Sequence, residues 1–293
     1  MVKCQMVMDA MERIAPRRLA EEWDNPGLLV GSPMQEIHRI LVCLDVSDDV
    51  ARRAIEMGAD MIVSHHPLIF KPLKKLRTDL PLGHRLQMLL KNDIAVFSAH
   101  TNLDIAEGGV NDVLAEKIGL TETEPFVVLS KDGDALGSMG RIGRFQKALT
   151  VQEFALAVRD ALPVSHVRLV SAGDRMVRKV ALCSGSGAEF ISKAASLGAD
   201  AYVTGDVRYH DAQHALENGM HVIDAGHFGT EFPIVSTLAA RLKKELAELN
   251  SKHPTDEKAK EALKQKENAI MQQIDALTMQ LLQIQKHNSE SNS

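Results

Sequence analysis

The strongest constraint on this chain's fold is that it carries one order of elements twice. Residues 38–66, HRILVCLDVSDDVARRAIEMGADMIVSHH, read as strand, helix, strand. An apolar run over 40–44 comes first. Ser47 then stands as an N-cap, with Asp48 and Asp49 in the first turn and Gly58 as the C-terminal stop. The connection between the strands is long enough for a parallel crossover, which predicts an α/β sheet. Residues 178–206, RKVALCSGSGAEFISKAASLGADAYVTGD, repeat that order. Cys43 aligns with Cys183, and MGADMIVSHH aligns with LGADAYVTGD, so His65 and His66 fall opposite Gly205 and Asp206. Further on, DIAVFSAHTNLD (93–104) aligns with GMHVIDAGHFGTE (219–231), setting His100 and Thr101 opposite Gly226 and His227. The offset changes because the first copy holds a longer loop, PLIFKPLKKLRTDLPLG. Any two βαβ units look alike in outline. The shared Gly-Ala-Asp, followed by a strand with a polar end, favours a true repeat.

At 293 residues and 45% apolar, the chain has room for two ordinary domains. A net charge of −5 leaves no footprint for nucleic acid or an anionic membrane, and 4% aromatics are too few for a base-stacking surface. The first sixteen residues read as a polar-faced helix without the apolar core of a leader peptide, and no run is apolar enough to span a bilayer. Three scattered cysteines without a CxxC pair suit a reducing compartment, so a cytoplasmic location is expected.

Three units follow: an α/β unit over 1–125, a second over 126–250, and a helical tail over 251–293. The glycine-rich stretch 130–145 fits neither phosphate-loop pattern and reads as a loop with bulged strands. Thr150 with Glu153 predicts a capping box opening the next helix. Val235, Leu238, Leu242, Leu246 and Leu249 keep helical spacing until Pro254 breaks it. Beyond, Leu263, Ile270, Leu277 and Ile284 recur every seven residues, as a coiled-coil seam or an amphipathic helix packed on its own domain would.

In a parallel sheet, functional groups gather where strands end at their carboxyl termini. Four such ends here carry metal-type side chains: SHHP (64–67), SAHTNLD (98–104), TGDVRYHD (204–211) and DAGHFGTE (224–231). One histidine at a strand end means little. Adjacent strand residues point to opposite faces, and Pro67 ends pairing so that His65 and His66 can turn toward one pocket. If Gly229–Glu231 open a helix, His227 and Glu231 share one side of its first turn. Three imidazoles and two carboxylates exceed what one tetrahedral zinc needs and point to two divalent ions; zinc, manganese, iron and cobalt all fit. Trp23 and Asn25 either line the cavity or form a plain turn with Trp23 buried. Asp206, Tyr209 and His210 either meet substrate or serve structural hydrogen bonds. Lys71, Lys74, Lys75 and Arg77 form either a phosphate-binding run or a solvated loop.

These stretches resemble the GTP cyclohydrolase I type 2 homologue family. EEWDNPGLLVG (21–31), VSHHPLIFKPLKKL (63–76), FSAHTNLDIAEGGVND (97–112), CSGSGAEFI (183–191), GADAYVTGDVRYHDAQHA (198–215) and DAGHFGTE carry the likeness. The resemblance implies two α/β units around a shared dinuclear metal cleft. Its ligands would be His65, His66, Asp104, His227 and Glu231, with His100 behind them as a proton carrier, and the assembly a homohexamer. Some members insert a domain that 126–182 leaves no room for. Members commonly close with a β-strand, where this chain has its polar helical tail.

The expected activity is metal-dependent hydrolysis, with His100 and Glu231 moving protons. The substrate would be a small nucleotide, as in GTP ring opening with formate release, or a phosphoester. The alternative is a non-catalytic metal-binding scaffold that recruits a protein partner through its C-terminal helix.

Overall fold

The structure, a computed structural model, describes residues 2–131 and 134–251. Two compact units emerge among them: one runs to Leu103 and resumes at Val235, and the other is Asp104–Ile234.

The first unit holds β1 (Val2–Lys3), α1 (Cys4–Ile14), β2 (Gly27–Val30), β3 (Glu36–Ile37), β4 (Ile40–Cys43), α2 (Asp48–Glu56), β5 (Met61–Ser64), α3 (Pro81–Lys91) and β6 (Ala95–Ser98); α4 (Thr101–Ile105) carries the chain out of it. Its main sheet has the order β2-β6-β5-β4, with β4, β5 and β6 parallel and β2 antiparallel at the edge. Every residue of β4, β5 and β6 is buried, as a parallel sheet covered on both faces requires. Leu41, Ile62 and Val96 pack with Val50, Ala54, Leu86 and Leu89 in one core cluster.

The second unit holds α5 (Val110–Lys117), β7 (Thr121–Lys131), β8 (Asp134–Leu149), α6 (Val151–Ala161), β9 (Arg168–Val170), β10 (Val177–Leu182), α7 (Ile191–Ser196), β11 (Ala201–Thr204), α8 (Tyr209–Glu217), β12 (His221–Asp224) and α9 (His227–Glu231). Its sheet runs β7-β8-β10-β11-β12-β9, with β10, β11 and β12 parallel and β9 antiparallel beside β12. The α/β class and the two repeated units expected from the sequence are what the chain forms.

Register shows the repeat at single-residue level. Ile40, Met61 and Ala95 stand abreast in the first sheet, and Val180, Ala201 and His221 in the second, offset by 140, 140 and 126 residues. The shared Gly-Ala-Asp has a physical role in both copies. Gly58 (φ 62°) and Gly198 (φ 71°) take the left-handed turn that stops α2 and α7. Ala59 and Ala199 are buried behind them. Asp60 then accepts the backbone N–H groups of His38 and Arg39, both at 2.7 Å, and Asp200 accepts those of Arg178 and Lys179 at 3.0 and 2.8 Å. Each aspartate thus ties the end of a crossover to the start of the preceding strand.

The division between units falls at Leu103/Asp104, whereas 125/126 lies inside β7. Residues 110–125 go with the second unit because Leu114, Ala115, Ile118 and Leu120 enter its core. The 130–145 stretch, read as a loop with bulged strands, belongs mostly to β8, which pairs with β7 in a long hairpin whose register shifts are the bulges; strand takes up more of the stretch than that reading gave it. The capping box of Thr150 and Glu153 is present at α6. The last described helix, α10 (Ile234–Ser251), buries Val235, Leu238, Leu242, Leu246 and Leu249. It joins the first unit, where Glu245 meets Arg13 of α1 at 3.7 Å. The expected tail helix and its heptads lie outside the described residues. No described helix is long and apolar enough to cross a membrane.

Candidate metal centre

In the first unit, the carboxyl ends of β5 and β6 bring three imidazoles together. His65, His66 and His100 each offer a ring nitrogen, and these atoms all lie within 4.8 Å of one another. Ring centroids are 4.9 Å apart for His65 and His66, 5.3 Å for His65 and His100, and 5.6 Å for His66 and His100. The doublet reaches one side because the chain turns as β5 ends. The successive N–H groups of His65 and His66 donate to Cys43 and Leu44 at 3.2 and 2.9 Å, where a regular ladder would use alternate residues. Ser64 Oγ donates to the His66 carbonyl at 2.8 Å and holds the turn.

Each ring is oriented through Nδ1. His65 Nδ1 lies 2.9 Å from the Ala99 carbonyl, His66 Nδ1 2.8 Å from Asp45 Oδ1, and His100 Nδ1 2.8 Å from Asp24 Oδ1. Carbonyl and carboxylate oxygens only accept, so Nδ1 carries the proton and the neutral ring keeps its lone pair at Nε2. That is how ligating histidines are supported in metalloproteins. The Asp24 side chain is fully buried and also accepts the N–H of Thr101 at 3.0 Å. Burial pushes its pKa up, but hydrogen bonds from His100 and Thr101 outweigh that and bring it down to about 2.

The second unit has a donor set of its own. His227 opens α9, and its Nε2 lies 3.1 Å from Glu231 Oε1 one turn on, as the four-residue spacing predicts. Its Nδ1 lies 2.7 Å from Asp206, which holds a left-handed backbone (φ 54°) to reach it. Held chiefly by Glu231, against burial and with help from Asp206, the His227 imidazolium has its pKa raised to about 9. Asp104 is buried, with Ser184 Oγ 3.4 Å from Oδ1, and its carbonyl accepts from Asn111 at 3.0 Å. Burial first, then the charges of Asp104 and Glu231, raise the thiol pKa of Cys183 between them. Gly185 (φ 63°) borders this set; a Cβ there would run into Glu231 Oε1 and come within 3.3 Å of His227 Nε2. His227 also borders a cavity of about 240 Å³ shared with Pro163, Val164, His166, Arg168 and Phe228.

The donor types are those of a transition-series divalent site: in the first unit three imidazoles held through Nδ1, and in the second an imidazole beside buried carboxylates. His100, expected behind the ligands, stands in the imidazole cluster itself. Trp23 is not buried: it is 60% exposed and edge-on to His100, with centroids 6.1 Å apart. Asn25 donates to the Ile69 carbonyl at 2.7 Å. Tyr209 and His210 pair with Gln213 on exposed α8, whereas Asp206 supports His227. Lys71, Lys74, Lys75 and Arg77 are exposed, with Arg77 turned onto Asp79. Sequence reasoning missed Asp24 and Asp45. Asp45 follows β4 by two residues, so the strand-end rule applied to that strand would have found it. Asp24 lies 76 residues from its histidine and leaves no local signal.

Known proteins resemble the chain in sequence and in fold. The chain is 36% identical over 246 residues to the GTP cyclohydrolase 1 type 2 homolog of Clostridium perfringens, covering 84% of this chain and 93% of that protein. Among solved structures, a Bacillus cereus protein related to NIF3 superposes with a TM-score of 0.78 at 29% identity, covering 86% of this chain and 94% of that one. Staphylococcus aureus protein SA1388 gives 0.79 at 28%, covering 85% and 94%. The family model of Duf34/NIF3 (NGG1p interacting factor 3) matches residues 2–260. A match of that extent, with relatives at that identity, places the chain in the Duf34/NIF3 family.

Proposed function

We propose that this chain is a divalent-metal-dependent hydrolase. His65, His66, Asp104, His227 and Glu231 hold two metal ions, with His100 beside them. The observation that carries the reading is the three-imidazole cluster, with ring nitrogens within 4.8 Å of one another and every Nδ1 held by an oxygen. His65 and His66 present their Nε2 lone pairs to a cation, while the Nε2 of His100 beside them is kept for proton transfer. A pair of bound divalent ions supplies electrophilic polarisation of the substrate and a water that ionises near neutrality. Asp24 and Asp45 keep His100 and His66 in one tautomer and one orientation. His100, backed by the buried Asp24 carboxylate, gives or takes a proton at Nε2. Glu231, one helical turn from His227, is the second group placed to carry one.

The substrate class is a small nucleotide or phosphoester. The name of the Clostridium perfringens relative points to GTP. Elemental analysis of protein purified without chelator is expected to find two divalent ions per chain. His65→Ala is expected to lower that content, and with it turnover of GTP or of a generic phosphoester, by at least tenfold. Full metal content in His65→Ala, or turnover that survives loss of the imidazole, sinks the proposal.

A further inference from the structure

We propose that Trp23, with Phe70 beside it, is a binding wall for a planar heteroaromatic ring, set against the imidazole cluster. The inference rests on the metal-site reading and adds to it the part of the substrate that the histidines leave unread. Trp23 is 60% exposed and Phe70 43%, in a chain whose aromatics make up only 4% of its residues. Large aromatic side chains are ordinarily among the more buried residues, and a pair left open beside polar donors marks a place where something flat is received. The pair is contiguous with the site. Trp23 and Phe70 have centroids 5.9 Å apart at 67°, and each meets His100 edge-on, at 6.1 Å and 76° for Trp23 and 6.2 Å and 84° for Phe70.

All three contacts are T-shaped, so neither of the other two rings stacks face to face on the indole. The wall is also held in place. Asn25 Nδ2 donates to the Ile69 carbonyl at 2.7 Å, tying the Trp23 turn to the segment that carries Phe70. Between Trp23 and Asn25, the buried Asp24 carboxylate binds His100 Nδ1 and the N–H of Thr101. One short turn therefore fixes both the indole and the third imidazole of the cluster. A ring stacked on Trp23 would have its edge, and any bond to be hydrolysed there, beside the donor nitrogens. Stacking of this kind tolerates any heterocycle, because every such ring has a π face.

Trp23 is the chain's sole tryptophan, so fluorescence excited at the red edge, where the two tyrosines do not absorb, reports this wall. Full-length, metal-loaded protein is titrated with guanosine 5′-monophosphate and adenosine 5′-monophosphate, with ribose 5-phosphate as the probe that lacks the base. Saturable quenching by both nucleotides, and none by ribose 5-phosphate, is the expected result. By calorimetry, Trp23→Ala is expected to weaken nucleotide binding about tenfold, the order that loss of one stacked base gives. Trp23→Phe is expected to restore most of that loss, and both variants to keep wild-type metal content. Equal nucleotide affinity in wild type and Trp23→Ala overturns the wall, as does a fluorescence change that follows protein concentration instead of nucleotide. The metal reading is judged separately, by metal content. Should the wild type take up no metal, ring-dependent quenching in the metal-free protein still supports the wall, and its absence overturns it.

Discussion

At the scale of single residues, each candidate donor histidine has its Nδ1 occupied by an oxygen. Asp45, Asp24 and Asp206 do this for His66, His100 and His227, and the Ala99 carbonyl does it for His65. His227 differs from the rest, because Glu231 at 3.1 Å from Nε2 favours a proton on both ring nitrogens. Its pKa is raised from 6.5 to about 9. A raised imidazole pKa gives stability that is fully present below the unfolded value and is lost as pH rises through the folded one. In metal-free protein this contribution therefore fades between pH 6.5 and 9. A cation at Nε2 must displace that proton, so metal affinity should rise across the same window. Calorimetry at neutral pH in two buffers of different ionisation enthalpy should show proton release on metal binding, and His227→Gln should release less. Identical release from the two proteins would falsify the doubly protonated ring.

At the scale of elements, much was legible because it is local. Ser47 caps α2 by accepting from the N–H of Val50 at 3.2 Å, and Thr150 with Glu153 makes a reciprocal box. The Gly-Ala-Asp repeat turns out to be a stop, a buried methyl and an anchor, all within a few residues of the helix they end. Removing the anchor leaves two backbone N–H groups without their acceptor. Asp60→Ala and Asp200→Ala should each cost about 1–2 kcal/mol in urea denaturation. If neither changes the midpoint, the shared aspartate does no structural work. The bulged strands of 130–145 were legible from their glycines, but the extent of the β7–β8 hairpin was not, because only pairing across the strands sets it.

For the whole molecule, the placement of the last described helix is the unexpected feature. The sequence reads α10 as the end of the second unit, yet it belongs with the first. Leu242 is fully buried there. Leu242→Ala should cost about 2–5 kcal/mol. Hydrogen exchange is expected to show the loss in β4, β5 and β6 before β10, β11 and β12. Equal loss in both sheets counts against that placement.

What the sequence determined by itself was the repeat, its parallel strands and the polar residues at their ends. Burial period, caps and turn glycines act over a handful of neighbours, and the two copies corroborate each other position by position. What only the tertiary structure decided was pairing across long separations. Asp24 finds His100 across 76 residues, and Asp45 finds His66 across 21. Trp23 stays open to solvent beside an imidazole from another strand end. Those outcomes depend on sheet register and on how each loop returns, and no stretch of a few residues contains that information.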